Sequence, residues 1–410
     1  MVDFEVPLEV ETRRKMAHMF AKGKLRPLSR EYDEREHEVP WELVNEVFKM
    51  EKAMGRRGDG EFRNRPGQSR LLTGAIVTEE LVWGDGALML CLPGPQLGGA
   101  ALMAAGTEAQ KEKWMAAFAG EEPAWGAMAM TEPGAGSDTA SIRTTAYRDG
   151  DHWVLNGEKI FVTSGGLALE HSKGWVVAWA RLLSPGGEGA EGRGTMRAFI
   201  VPAGTPGVRV AKVEKKMGIR ASNTVSIVFE EARIPLDQML GWPDIERRSK
   251  EGFKAAMATF DGTRPVVASA SVGLARAALD LLRDLLRQRG AEPRWGLSVS
   301  KLTALEQDLA RMEAAVHAAR LLTWRSAWLA DQKRPNALEA AMAKALSGRV
   351  VTEVTQKCAE LAGPEGVSRK LLLEKVVRDS KINDIFEGTG QINTLIVARR
   401  ILGYTREQLK

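Results

Sequence analysis

The stretch RDSKINDIFEGTGQINTLIVARR, residues 378–400, sets a single carboxylate, Glu387, between Phe386 and a Gly-Thr-Gly. Ile382 and Ile385 come just before it, and Leu395, Ile396 and Val397 follow. A glutamate placed for solubility is usually flanked by polar residues. Here one side is apolar and the other exposes glycine backbone. Two readings are open: a helix cap, or a base held in a pocket, where burial disfavours the charged form.

Two other stretches could carry chemistry. MAMTEPGAGSDTASIRT, residues 128–144, follows a β-like run and supplies the hydroxyls of Thr131, Ser137 and Thr139 around Gly134 and Gly136. Glycines let backbone N–H groups approach a planar ligand or a phosphate. The spacing is neither a dinucleotide fingerprint nor a P-loop, and an ordinary turn fits the composition equally well. GEKIFVTSGG, residues 157–166, puts Phe161 and Thr163 on the same side of a strand, a surface suited to a flat heterocycle. On the residues alone, a half-buried strand is the better account. The five histidines (His18, His37, His152, His171, His317) show no metal-ligand spacing, and no GxSxG occurs. Two cysteines, Cys91 and Cys358, cannot build a metal cluster. Metal and serine-nucleophile chemistry are disfavoured, which leaves a carboxylate as the acid–base group.

The elements that must position these residues fall into three zones. From about residue 8 to 120, apolar residues recur at three and four, with Thr107 as an N-cap. From about 124 to 240, short alternating runs are broken by turn signals at RDGDH and LNGEK, and LSPGGEGAEGRG (183–194) reads as a long surface loop. From about 250 the helical period returns in long segments; Pro265 demands a kink or a helix start, and Gly363-Pro364 closes one of them. The expected fold is therefore multidomain α+β. It comprises an N-terminal α-helical domain (1–123), a middle antiparallel β-barrel (124–240) and a C-terminal four-helix bundle (241–410).

The chain has 410 residues, 44% of them apolar and 27% charged, which is ample for more than one core. No uninterrupted apolar window approaches a membrane span, and the N-terminus lacks a signal-peptide apolar region, so a cytoplasmic protein is expected. The net charge of +5 and pI near 9.1 are mildly basic. Acidic residues interleave the basic runs GRRGDGEFRNR and ERRSK, favouring solvated faces first and phosphate binding second over nucleic acid.

Taken together, TEPGAGSD, NGEKIFVTSGG, FDGTRPVVASASVGLARAALD and RDSKINDIFEGTGQI resemble the acyl-CoA dehydrogenases in order and spacing, over about residues 8–403. The resemblance implies FAD lying between the middle and C-terminal domains and crossing a dimer interface, commonly within a homotetramer. It implies α,β-dehydrogenation of an acyl-CoA thioester, with electrons leaving to an electron-transfer flavoprotein and with no nucleic acid or membrane span involved. Glu387 falls on the family's catalytic base, and Thr263 occupies the alternative location of that base in other branches. By the same matching, Met128, Met130, Thr131, Gly136, Ser137, Phe161, Thr163, Ser164, Thr389 and Gln391 meet the cofactor. Trp295, Glu360 and Gly363 also fall at cofactor positions, and Arg289 matches the arginine that reaches the FAD pyrophosphate of the neighbouring subunit. Ser137, Phe260, Asp261, Arg264, Phe386 and Gly388 line the substrate channel.

The chain departs from the family pattern at three places. GAEPRWG delays Trp295, Glu360 replaces a neutral Gln, and GRRGDGEFRNRPGQ replaces a Gly-rich acidic segment. The alternatives are an acyl-CoA oxidase, distinguished by oxygen consumption, and a non-catalytic or DNA-binding flavoprotein, distinguished by salt-dependent DNA affinity.

Overall fold

The helical spacing of the first zone folds as α1 (Leu8–Phe20), α2 (Arg26–Glu34), α3 (Trp41–Ala53), α4 (Arg70–Cys91), α5 (Gln96–Ala105) and α6 (Glu108–Met115). This computed structural model describes residues 6–53, 69–183, 196–242, 251–291, 293–294, 296–405 and 408. The departing 55–68 segment, the 184–194 part of the Gly-rich loop, ERRSK and Trp295 lie outside those residues. Thr107 caps α6 as expected: its hydroxyl accepts from the Gln110 N–H while the Gln110 side chain accepts from the Thr107 N–H. Within α4 the backbone leaves helical geometry at Asp85, whose carboxylate accepts the Leu88 N–H and so caps the second half of the helix.

The alternating zone forms one seven-stranded curled sheet: β1 (Gly126–Ala129), β2 (Thr145–Asp149), β3 (His152–Thr163), β4 (Trp175–Leu182), β5 (Met196–Pro202), β6 (Val208–Val213) and β7 (Thr224–Pro235). The short α7 (Gly165–Leu169) links β3 to β4. Antiparallel pairing holds for β2–β3, β3–β7, β6–β7 and β4–β5, but β4 runs parallel to both β1 and β2. The sheet is thus mixed, because the path through α7 is a crossover rather than a hairpin. Phe199, Trp125 and Ile227 are among the fully buried side chains of its core.

RDGDH is a hairpin turn, with Asp149 paired to His152 and Gly150 at φ 62°. LNGEK is not a turn. β3 runs through it with a register shift between Leu155 and Gly157, where Gly157 has φ 146°. A Cβ there would lie 2.5 Å from the Thr144 hydroxyl, so the glycine serves a close strand approach and a bulge.

The last zone forms α8 (Glu251–Gln288), α9 (Ala304–Asp331), α10 (Ala337–Ala362), α11 (Leu373–Ser380) and α12 (Gly390–Leu402). α8, α9 and α10 pack mutually around Leu282, Leu309, Val351 and Cys358, with α12 against α10 and α4 against α8. α8 is long and apolar enough to cross a membrane by length and composition, but 72% of that window is buried against its neighbours, as in a bundle core. Pro265 sits inside α8 without ending it. Proline cannot donate to the carbonyl four residues back, Asp261. The Asn336 side-chain amide takes that carbonyl instead, at 2.9 Å. α10 stops where expected, with Gly363 at φ 67° as its cap.

Candidate active site

Glu387 stands in the loop between a 3-10 turn, Lys381–Asp384, and the start of α12. Its φ of 57° is left-handed, a conformation costing a non-glycine residue on the order of 1 kcal/mol and concentrated at functional sites. Thr389 caps α12 through its hydroxyl, which accepts from Ile392 N–H at 3.2 Å. Both open readings of the sequence therefore have an answer: the cap is Thr389, and the carboxylate of Glu387 is not spent on capping. Asn393 donates to the Gly388 carbonyl at 2.7 Å, and Arg264 Nε donates to the Glu387 carbonyl at 3.3 Å. The backbone N–H of Glu387 has no acceptor among the described residues.

The carboxylate itself meets α8. Thr263 Oγ1 donates to Glu387 Oε2 at 2.8 Å. Burial pushes the Glu387 carboxyl above the usual carboxylate range, against the opposing pull of the Thr263 hydroxyl and the charges of Arg264 and Lys344. One turn of α8 carries the other expected substrate residues: Arg264 pairs with Asp261 at 3.1 Å and lies 5.6 Å from the Phe260 ring centroid. Phe260 in turn packs against the apolar cluster that holds Met130 and Ala135. Phe386 is half-buried, beneath the Lys344 ammonium at 5.9 Å.

The loop after β1 is held from below. Lys159 of β3, fully buried, donates to the Met130 carbonyl at 3.0 Å and to Glu132 at 2.7 Å. Glu132 also accepts from the Arg143 and Thr144 N–H groups, and Ile160 N–H reaches the Thr131 carbonyl. Above that anchor Gly136 and Ser137 are exposed, and Met128 and Thr131 are half-buried. The Phe161 ring is 61% exposed on a residue with φ 57°, at the bulge between Lys159 and Val162. Neither the Thr131 nor the Thr163 hydroxyl is engaged by another described residue. Ser164 is fully buried; its hydroxyl donates to the Leu90 carbonyl at 3.3 Å and its N–H to the Asn223 carbonyl at 2.7 Å.

Three profiles of one family match the chain in succession: "Acyl-CoA dehydrogenase, N-terminal domain" over residues 8–122, the middle domain over 127–232 and the C-terminal domain over 250–402. The chain belongs to the acyl-CoA dehydrogenase family. It is 35% identical to the mitochondrial short-chain specific acyl-CoA dehydrogenase of Bos taurus, covering 97% of this chain and 91% of that protein. The solved butyryl-CoA dehydrogenase of Megasphaera elsdenii is 31% identical, with a TM-score of 0.82 over 98% of this chain and 100% of the other. The same figures hold for a chain in a structure described as the electron transferring flavoprotein of Acidaminococcus fermentans. Members of this family are FAD-dependent oxidoreductases.

An acyl-CoA dehydrogenase must therefore hold a flat tricycle and a pyrophosphate, and the residues present fit. An exposed aromatic ring, two unengaged hydroxyls and open space at Gly134 and Gly136 form a donor set suited to both. The remaining expected cofactor residues lie elsewhere. Arg289 donates to the Ala362 carbonyl at 2.8 Å and pairs with Glu365 at 2.8 Å, beside Gly363 at the C-terminal end of α10. Lys344, under the Glu387 loop, is roughly 27 Å back along the same helix at the ordinary helical rise. Within one subunit the two groups are separate. Glu360 is turned to solvent and paired with Lys357 at 2.8 Å. Thr389 and Gln391 sit at the head of α12, with Gln391 exposed. The sequence reading missed Lys159, Glu132, Lys344, Asn336 and Asn393. A lysine on the buried stripe Ala340, Lys344, Ser347, Val351 was the available signal for one of them.

Proposed function

We propose that this chain dehydrogenates acyl-CoA thioesters between Cα and Cβ, with Glu387 as the base that takes the α-proton. The observation that carries the proposal is the pairing, on one residue, of a carboxylate with raised proton affinity and a backbone N–H without a partner. A base poised nearer neutrality abstracts a weakly acidic α-proton more effectively than an ordinary carboxylate at the same pH. A thioester carbonyl accepting the Glu387 N–H would have its developing enolate charge stabilised as the proton leaves. The α C–H bond breaks, its proton goes to a Glu387 carboxylate oxygen, and its electron pair forms the Cα–Cβ double bond as hydride leaves Cβ. FAD supplies the acceptor of that hydride.

The groups that would hold the cofactor are Thr131, Ser137, Phe161 and Thr163 from one subunit, with Met128, Met130 and Gly136 shaping the loop. Thr389 and Gln391 belong to the same set. Arg289 and Gly363 would come from the neighbouring subunit, which the separation along α10 supports, and a homotetramer is the assembly we infer. Arg264, Asp261 and Phe260 line the way in for the thioester, with Phe386 and Gly388 beside the base. The names of the relatives point to short acyl chains. We further infer a cytoplasmic enzyme that passes electrons to an electron-transfer flavoprotein. FAD-loaded protein should bleach near about 450 nm with butyryl-CoA, and Glu387→Gln should not. Bleaching by that variant at the native rate would overturn the assignment of the base.

A further inference from the structure

Behind the Glu387 loop lies a charge the reaction scheme does not use. Lys344, on α10, is fully buried. Among the described residues no carboxylate stands within ion-pair distance of its ammonium. Nζ instead donates to two backbone carbonyls, Asn383 at 2.6 Å and Gly388 at 3.3 Å, and lies 5.9 Å from the Phe386 ring centroid. A dry ammonium without a salt-bridge partner is among the costliest arrangements in a protein core. One turn further along α10 is Gly348, where a Cβ would lie 3.0 Å from the Asn383 carbonyl and 3.1 Å from Asp384. The glycine lets the loop settle on α10, and the lysine grips it at both ends.

We propose that Lys344 is a positioning residue for Glu387. It ties the two ends of the 383–388 loop to α10, so fixing the left-handed turn that aims the carboxylate, and it supplies the positive charge against which that carboxylate ionises. The inference rests on Glu387 being the base. The titratable groups that face the ammonium are Asp384 and Glu387 from the loop and Arg264 from α8; the carboxylates favour its charge and the guanidinium opposes it. Burial is the larger influence and pulls Lys344 down to about 8. The arrangement is reciprocal: the ammonium draws the Glu387 pKa down, and the Glu387 charge holds the lysine pKa up. Lys344 touches neither substrate nor cofactor and acts through the loop.

The test uses FAD-loaded enzyme. Lys344→Gln keeps a donor for the Asn383 carbonyl and removes the charge. Its single-turnover bleaching by butyryl-CoA is expected to slow about tenfold with little change in KM, since the substrate's own contacts are intact. The acid limb of its pH profile is expected to move to higher pH by about half a unit or more, because Glu387 has lost a favourable charge. An unmoved limb overturns the proposal. A second arm does not depend on that variant folding. With 13Cε-labelled lysine, two buried lysines, Lys159 and Lys344, are expected to titrate near 8. In Glu387→Gln only the midpoint of Lys344 should fall, with Lys159 as the internal control. Two unmoved midpoints overturn the proposal as well. Native-rate bleaching by Glu387→Gln would instead remove the base assignment on which the inference rests, a result distinct from either.

Discussion

Thr263 Oγ1 stands 2.8 Å from Glu387 Oε2, so a hydroxyl of α8 donates to the carboxylate that we propose as the base. Thr263 and Glu387 are 124 residues apart in the chain. Their contact joins the middle of α8 to the head of α12 and makes the two locations parts of one site.

Thr263→Val keeps the volume and removes the donor. The Thr263 hydroxyl lowers the Glu387 pKa, so its loss is expected to raise it, by about one unit for a hydrogen bond to a charged group. The acid limb of kcat/KM for butyryl-CoA should move up accordingly, with FAD content unchanged. A limb that stays in place would show that the hydroxyl is spent on the backbone carbonyls of Thr259, at 3.2 Å, or Phe260, at 3.5 Å.

Glu387 also links activity to stability. Burial raises its folded-state pKa, so the folded protein keeps this proton to higher pH than the unfolded chain does. The stability tied to the proton is complete below the unfolded pKa and is lost as pH climbs through the folded one. Glu387→Gln cannot ionise. Calorimetry is expected to find it more stable than the native protein at pH above that window, by on the order of 1 kcal/mol, and equal to it in acid. A destabilised variant at neutral pH would mean that the carboxylate is stabilised by its neighbours rather than penalised.

The Lys159–Glu132 pair anchors the loop that carries Thr131 and Ser137. Removing one partner leaves a buried, uncompensated charge, so Lys159→Met is expected to cost about 3–5 kcal/mol in urea unfolding. Lys159→Met combined with Glu132→Leu should recover much of that loss, and FAD retention should report whether the loop has kept its place. A loss in the double variant equal to the sum of the Lys159→Met and Glu132→Leu losses would argue that the pair is not coupled.

Pro265 and Asn336 form a testable exchange. Asn336→Ala leaves the Asp261 carbonyl without its donor inside the bundle, a cost of about 1–3 kcal/mol. Pro265→Ala returns an N–H to that carbonyl. In its background the Asn336 change should therefore cost less, which a double-mutant cycle reads directly.

Much of this protein could be read from its residues in order. Helical and alternating periods gave the succession of helical, sheet and helical zones, because period is a property of the backbone geometry itself. The Thr107 cap, the RDGDH turn and the Gly363 stop were legible for the same reason: each depends on a few adjacent residues. Glu387 stood out because its apolar and glycine neighbours are local too.

What only the tertiary structure decided involves partners far apart in the chain. The parallel seating of β4 and the reading of LNGEK as a bulge depend on Thr144 and on the crossover through α7. The second donor set around Arg289 and Glu365 is placed by the length of α10, which no motif encodes. The hydroxyl of Thr263 reaches the Glu387 carboxylate across 124 residues and the ammonium of Lys344 reaches the carbonyls at both ends of its loop, and only close packing of α8 and α10 on that loop brings them there. The shift of a pKa follows from that packing, since burial and facing charges arise from contacts between elements rather than from the order of residues within one.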